Sequence, residues 1–405
     1  MNKIILCIVS IIMLMQQSTA NTEHTINSSQ KNVLVFSGGG AAGIAYAGSL
    51  KAYDLLGEKY SLDNLQAVAG SSAGSIAAVA VALGYNSSEI QTLLTTIDFN
   101  DFMDTSNIVS NVGHVNNDYG WYRGEVMSNF LKKIVADKAP NHNADASLAD
   151  VKAFNKNHPA IYLFTTDVAN QQSIAFTSED DATKDIPIAL AARASSSVPL
   201  FYDAMFFNKV GTKDNFKWEY YNDVEDDSTT ALVDGGVMNN FPITDMKVIY
   251  PDSEIQGLIL LNKDDMSWLK TGERNTSNSI GKSKPRSYIG YLLKTIMTAE
   301  YSHFVKNDDV LKDTIMIDRN KVGMLDFDLS NDQKIQLMKS GCEAVLQSKN
   351  REDLIPKCQF SIEKNNKLQA FVNDAMSESV NEAESTTSVD NISNSNSDTS
   401  KKNII

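Results

Sequence analysis

An α/β fold is predicted for this chain by three stretches in which short apolar strands alternate with helical patterns, the first two across glycine-bearing turns. In the first, Val33 to Phe36 reads as a strand, Ser37-Gly38-Gly39-Gly40-Ala41-Ala42-Gly43 as a loop, and the chain to Leu55 as a helix. In the second, Ala67 to Ala69 reads as a short buried strand, Gly70-Ser71-Ser72-Ala73-Gly74 as a tight turn, and the Ala/Val-rich remainder as a helix closing at Gly84. In the third, an amphipathic helix over Gly124 to Asp137 is followed by a return to strand at Ala160 to Thr166.

The N-terminus predicts export. Met1-Asn2-Lys3 is a short basic start, Ile4 to Met15 is an apolar run too short to span a bilayer, and Ser18-Thr19-Ala20 offers the small residues a signal peptidase reads. Residues 1–20 are therefore expected to be a cleaved signal, with an uncleaved anchor as the alternative. The expected location is secreted, periplasmic or envelope. A polar linker (21–31) precedes a core (32–250), a C-terminal part that completes or covers it (251–376) and a Ser/Asn/Asp/Glu-rich tail (377–405) expected to be disordered.

Charge limits the partners. With 36 basic against 50 acidic residues the formal net charge is −14, which argues against nucleic acid and against electrostatic capture by anionic membranes. Uncharged or zwitterionic lipid surfaces stay open. Outside the leader, Cys342 and Cys358 either pair in an oxidising compartment or remain thiols with Cys342 packed on a helix. Neither has zinc-site neighbours.

A strand that runs into a glycine loop at a helix start exposes several backbone N–H groups in one concavity, which makes an anion cradle. Gly38, Gly40 and Gly43 satisfy the dinucleotide fingerprint, but the second strand runs into Gly70-Ser71-Ser72 where an Asp or Glu is wanted. The other occupant is a transient oxyanion. Ser72 stands at the centre of G-x-S-x-G, flanked by Gly70 and Gly74, the pattern of a nucleophile elbow. That geometry pushes a serine hydroxyl out of the sheet and aims the following N–H groups, including that of Ala73, at an anion.

Further along, Asn86-Ser-Ser-Glu89 is a capping-box pattern opening a helix to about Ile97. Asp167 and Asn170 follow a strand end and either belong to a site or shape a turn. Ile186 to Phe201 reads as a helix ending in Ser195, Ser196 and Ser197, turn residues without the glycines a nucleophile needs. Lys213 to Thr230, with Trp218, Tyr220, Tyr221 and Asp223 to Asp227, reads as a solvated excursion whose aromatics could flank a site entrance. In Ala231 to Pro242 a short strand delivers Asp234, and Gly235 and Gly236 behind it permit close backbone approach.

The glycine loop, the G-x-S-x-G serine and the strand-end D-G-G, with ARASSSVPLF between the last two, resemble the patatin-like phospholipase family over about residues 32–250. Weaker similarity continues through Leu325 to Ser330. The resemblance implies a three-layer α/β/α fold around a mainly parallel sheet. It implies hydrolysis of phospholipid or lysophospholipid esters at a membrane or micelle surface by a Ser72–Asp234 dyad, with Gly38, Gly39 and Gly40 as the oxyanion loop and neither metal nor cofactor. Ala42 departs from the pattern, which commonly has Arg or Lys there; backbone donors do not need that side chain.

Chemically, Asp234 would take the Ser72 proton as Oγ attacks the acyl carbonyl and return it to the departing alcohol. A carboxylate near its usual pKa of ~4 is a poor base for an alcohol, so partial burial and strong oxyanion stabilisation are required. The alternatives are a Ser72–Asp234–His303 triad, or a shell that binds lipid or a partner protein without turnover. His24, His114, His142 and His158 precede Asp234; His303 follows it, on a helical pattern from Tyr288 to Val305 that also holds Leu292, Ile296 and Ala299, where a packing role is expected. A buried strand at Gln256 to Leu261, a polar mobile connection over Lys263 to Arg286 and a capped helix over Ser330 to Gln347 complete the reading. A protein activator and the oligomeric state stay open.

Overall fold

β1 (Asn32–Phe36) is buried at every position after Asn32, because both faces of the sheet it belongs to are covered. The computed structural model describes residues 32–96, 99–104, 119–154, 159–212, 215–222, 229–274, 285–362 and 370. The leader, linker and tail expectations, His24, His114, His158 and Asp223 to Asp227 lie outside these residues. β2 (Leu65–Ser71), β3 (Ala160–Asp167), β4 (Gln172–Thr177), β5 (Met205–Thr212), β6 (Asn215–Tyr221), β7 (Thr230–Asp234), β8 (Glu254–Leu261) and β9 (Thr314–Asp318) join β1 in one sheet. Its order is β6-β5-β7-β3-β2-β1-β8-β9, with β4 also on β3. The run from β3 to β9 is parallel, as expected, whereas β4, β5, β6 and β7 pair antiparallel.

The longer helices are α1 (Ala45–Leu56), α2 (Ala73–Ala82), α3 (Ser87–Thr96), α4 (Glu125–Lys138), α5 (Ile188–Ser195), α6 (Ile243–Ile249), α7 (Lys263–Thr271), α8 (Pro285–Tyr301) and α9 (Asn331–Ser348). Alternation along β1 sorts them into two layers. Leu34 and Phe36 join a core with residues of α1 to α5 and α9, while Val33 and Val35 face a second core with Ile243, Met246, Leu269 and Tyr301 of α6 to α8. Both predicted capping boxes form: Asn86 with Glu89, and Ser330 with Gln333.

Register brings the site together. β2 lies beside β3 from Ala160 to Phe164, and β7 lies beside it from Thr165 to Asp167. Since β4 occupies the opposite edge of β3 from Tyr162 to Asp167, β2 and β7 share one edge and meet head to head. Ser71 pairs with Phe164 and Asp234 with Thr165, so the residue after β2 and the last residue of β7 are spatial neighbours.

Three expectations are corrected. Part of the stretch after Lys213 is regular structure: β6 pairs with β5 as a hairpin that buries Trp218 against Phe176 and Phe207, while most other β6 residues stay exposed. The connection after Lys263 begins as helix α7, because the Asn262 side chain caps it at Asp265 N–H (2.8 Å) and Gly272, at φ 77°, ends it. The third concerns α8, which stops at Tyr301 and leaves His303 in an exposed turn.

Candidate active site

The turn after β2 forces Ser72 to φ 53°, ψ −128°, a conformation that L residues avoid and that strand-to-helix elbows impose on their serine. Gly74 makes the turn tight enough: a Cβ there would stand 2.4 Å from the Phe36 carbonyl oxygen and 2.6 Å from that of Ser37. Gly40, at φ 56°, takes a left-handed conformation, and its missing Cβ leaves room for the Met324 carbonyl. Ala42 is fully buried.

Asp234 ends β7 with a buried carboxyl. Oδ1 accepts the Gly236 N–H at 2.7 Å, and Oδ2 is buried without a well-formed hydrogen bond among the described residues. The Ser72 hydroxyl stands beside the carboxylate and, like the Gly236 N–H, lowers its pKa; burial outweighs both and pushes it up to about 6. Ser72, Ala73, Gly39, Gly40, Asp234 and Gly236 line one cavity, whose remaining walls are mostly apolar, including Ile76, Phe99, Phe102, Met127 and Val198. The aromatics of the β5–β6 hairpin do not line it.

Donors around that cavity are unevenly available. Gly38 was expected among them, but its N–H is committed to the Asn240 carbonyl at 2.9 Å. No backbone hydrogen bond among the described residues engages the N–H of Gly39, Gly40 or Ala73. Gly43 packs against Ala73, Gly70 against Gly74, and Gly235 against the Phe164 carbonyl and Ser71. His303 is not brought to the carboxyl: it is exposed and makes no hydrogen bond to Asp234 among the described residues, and it does not pack on a helix face either.

A model of the patatin-like phospholipase family matches residues 34–247, a stretch that holds all three glycine-bearing blocks. The chain belongs to the patatin-like phospholipase family. That membership supports a lipid hydrolase activity. The chain is similar to protein YqhO of Bacillus subtilis (strain 168), at 30% identity over 52% of this chain and 64% of that protein. It is also similar to protein L620 of Acanthamoeba polyphaga mimivirus, at 25% identity over 56% and 67% of the two chains. The matches thus span about two thirds of these relatives' own length. Among solved structures, VipD from Legionella pneumophila is similar with a TM-score of 0.49 and 15% identity, over 80% of this chain and 67% of that one.

Around the patatin-like elbow stands a set of buried supports that the sequence did not reveal. Ser195 takes the Ser72 N–H on both its carbonyl and its hydroxyl, each at 3.1 Å, and donates that hydroxyl to the Phe164 carbonyl. The Ser197 carbonyl accepts the Asp234 N–H at 2.8 Å, and Ser196 donates to the Ser72 carbonyl at 3.2 Å. Arg193 of α5, fully buried, donates to Ser197 Oγ and to the carbonyls of Gly124 and Arg123. The serine cluster is structural, as its lack of glycines suggested, but it holds the two site residues in place. Asp167 shapes its turn, accepting from Asn170, Gln172 and Thr230.

Proposed function

We propose that the chain is a lipid acyl hydrolase of the phospholipase A or lysophospholipase type that cleaves carboxylic esters through an acyl-enzyme on Ser72. The observation that carries this reading is the buried Asp234 carboxylate beside a strained Ser72, at the wall of a mostly apolar cavity bordered by uncommitted N–H groups. Asp234 takes the Ser72 proton as Oγ bonds to the acyl carbon. The oxygen that gains the charge is met by the N–H groups of Gly39, Gly40 and Ala73, each such donor being worth about 3–4 kcal/mol in comparable sites. Collapse of the tetrahedral species breaks the bond to the alcohol, which leaves with the proton from Asp234. Water then repeats the cycle: it gives its proton to Asp234, releases the fatty acid and restores Ser72. A carboxylate with its pKa near 6 is a better base for this task than one near 4. Export and the need for an activator belong to the same proposal; sequencing the N-terminus of the chain recovered outside the cytoplasm tests the first.

The test is release of fatty acid from mixed phosphatidylcholine and lysophosphatidylcholine micelles in the presence of EDTA. Ser72→Ala and Asp234→Asn are each expected to lower the rate by at least a thousandfold, and His303→Asn to leave it within twofold. A comparable loss in a folded His303→Asn protein would replace the dyad by the triad.

A further inference from the structure

The role of α8 rests on the lipid hydrolase reading above. A helix on the outside of a soluble domain ordinarily turns charged side chains to water. On α8 every exposed residue whose side chain is described is uncharged: Tyr288, Tyr291, Leu292, Thr295, Ile296 and Ala299. They follow one another at helical spacing, and Tyr288, Tyr291, Leu292 and Ile296 are 52%, 46%, 42% and 40% exposed. Two tyrosines, a leucine and an isoleucine exposed along one helix of a chain with a net charge of −14 are a feature of surfaces that meet a partner.

Position says which partner. Gly290 and Tyr291 border a groove of about 590 Å³ whose wall includes Met324, Leu325 and Phe327, and those three residues also wall the Ser72 cavity. Arg319 and Lys321 stand along the same groove with Asp326 and Asp328 as its acids, and Lys294 there is paired with Asp265 at 3.2 Å, so the groove is close to neutral where the chain as a whole is acidic. Leucine and isoleucine flanked by tyrosines suit the boundary between phosphate headgroups and acyl chains. The inner side of α8 grips the site. Glu300 accepts the N–H groups of Asn240 (2.7 Å) and Phe241 (3.1 Å), Tyr301 accepts from the Asn240 side chain (2.7 Å), and the Asn240 carbonyl holds the Gly38 N–H.

We propose that α8 is a lipid-docking helix whose uncharged face seats on a zwitterionic phospholipid bilayer and so sets the mouth of the Ser72 cavity against the membrane. An interfacial enzyme needs such a face, because its substrate's acyl carbonyl lies below the headgroups.

The experiment separates docking from catalysis. The full chain carrying Ser72→Ala, which leaves vesicles undigested, is sedimented with sucrose-loaded phosphatidylcholine vesicles, alone and with Leu292→Ser plus Ile296→Ser added. The added pair is expected to lower the vesicle partition coefficient at least tenfold. With Ser72 intact, the same pair should lose at least tenfold in vesicle hydrolysis and keep hydrolysis of a monomeric short-chain ester within twofold. Leu292→Trp, which retains an apolar side chain, should bind and shift its emission to the blue on adding vesicles. Equal sedimentation with and without the serine pair, no sedimentation of the Ser72→Ala chain, or an unshifted tryptophan would each overturn the proposal. So would gel filtration showing a dimer that the serine pair converts to monomer, since the face would then belong to a second copy. If the unsubstituted chain hydrolyses neither substrate, the catalytic reading fails while the sedimentation result still decides docking.

Discussion

Asp234 owes its basicity to burial, and burial has a consequence for stability that can be measured apart from activity. Its carboxyl is raised to about 6 in the fold against about 4 in an unfolded chain. A raised folded pKa means that the stability this group contributes is full below pH ~4 and is lost as pH rises through about 6. Two effects follow. The catalytic rate constant kcat/KM should climb with pH through an apparent pKa near 6, as Asp234 becomes able to accept a proton. Asp234→Asn, inactive, should be more stable than the unsubstituted chain above pH 7, by up to about 3 kcal/mol, and no more stable at pH 4. Thermal unfolding at pH 4 and pH 8 checks this; a difference in Tm that does not change with pH would remove burial as the cause. Ser72 and Asp234 were legible in the sequence because each sits in a short motif whose glycines announce the backbone it needs. Ser195, Arg193 and Glu300 were not. Ser195 meets Ser72 across 123 positions, and Glu300 meets Asn240 across 60, so no local pattern marks them. The engagement of Gly38 was hidden in the same way, by an acceptor 202 residues later.

Strands β1, β2, β3 and β8 could be read from continuous apolar runs, since strands covered on both faces leave no alternative pattern. The β5–β6 hairpin was obscured by its charged outward residues, which make a half-buried strand look like a polar loop. With α8 the periodicity was read correctly in kind: Leu292, Ile296 and Ala299 do share a stripe, but periodicity shows that a face is apolar and not what covers it. Two glycines test how far each element depends on its backbone. Gly74→Ala places a methyl group against two carbonyl oxygens of the β1 end, neither of which can move without disturbing the sheet, so a loss of about 1–3 kcal/mol and of most activity is expected. Gly290→Ala, within α8 and with nothing inside 4 Å of the new methyl, is expected to stabilise by about 0.5–1 kcal/mol. Urea unfolding of both proteins decides the point, and a shared sign would contradict the packing described for one of them.

Beyond the matched family region, α9 packs directly on α1, the helix that leaves the glycine loop, so closely that Gly48 faces the Met338 carbonyl and Gly341 faces that of Ala45. The cysteine pairing left open by the sequence is closed here by a disulfide between Cys342 of α9 and Cys358, 16 positions apart. Closing a loop of roughly this length removes unfolded-chain entropy worth about 3 kcal/mol. Neither cysteine lines the Ser72 cavity. Reduction, or Cys342→Ala with Cys358→Ala, should therefore lower stability by about that amount and leave kcat/KM on a soluble ester within twofold at 25 °C. Melting curves with and without reductant, alongside rates on the same samples, separate the two effects. A rate that fell with the disulfide while the fold stayed intact would show that α9 transmits its position through α1 to the glycine loop; an unchanged rate confines the bond to holding the C-terminal helix in place.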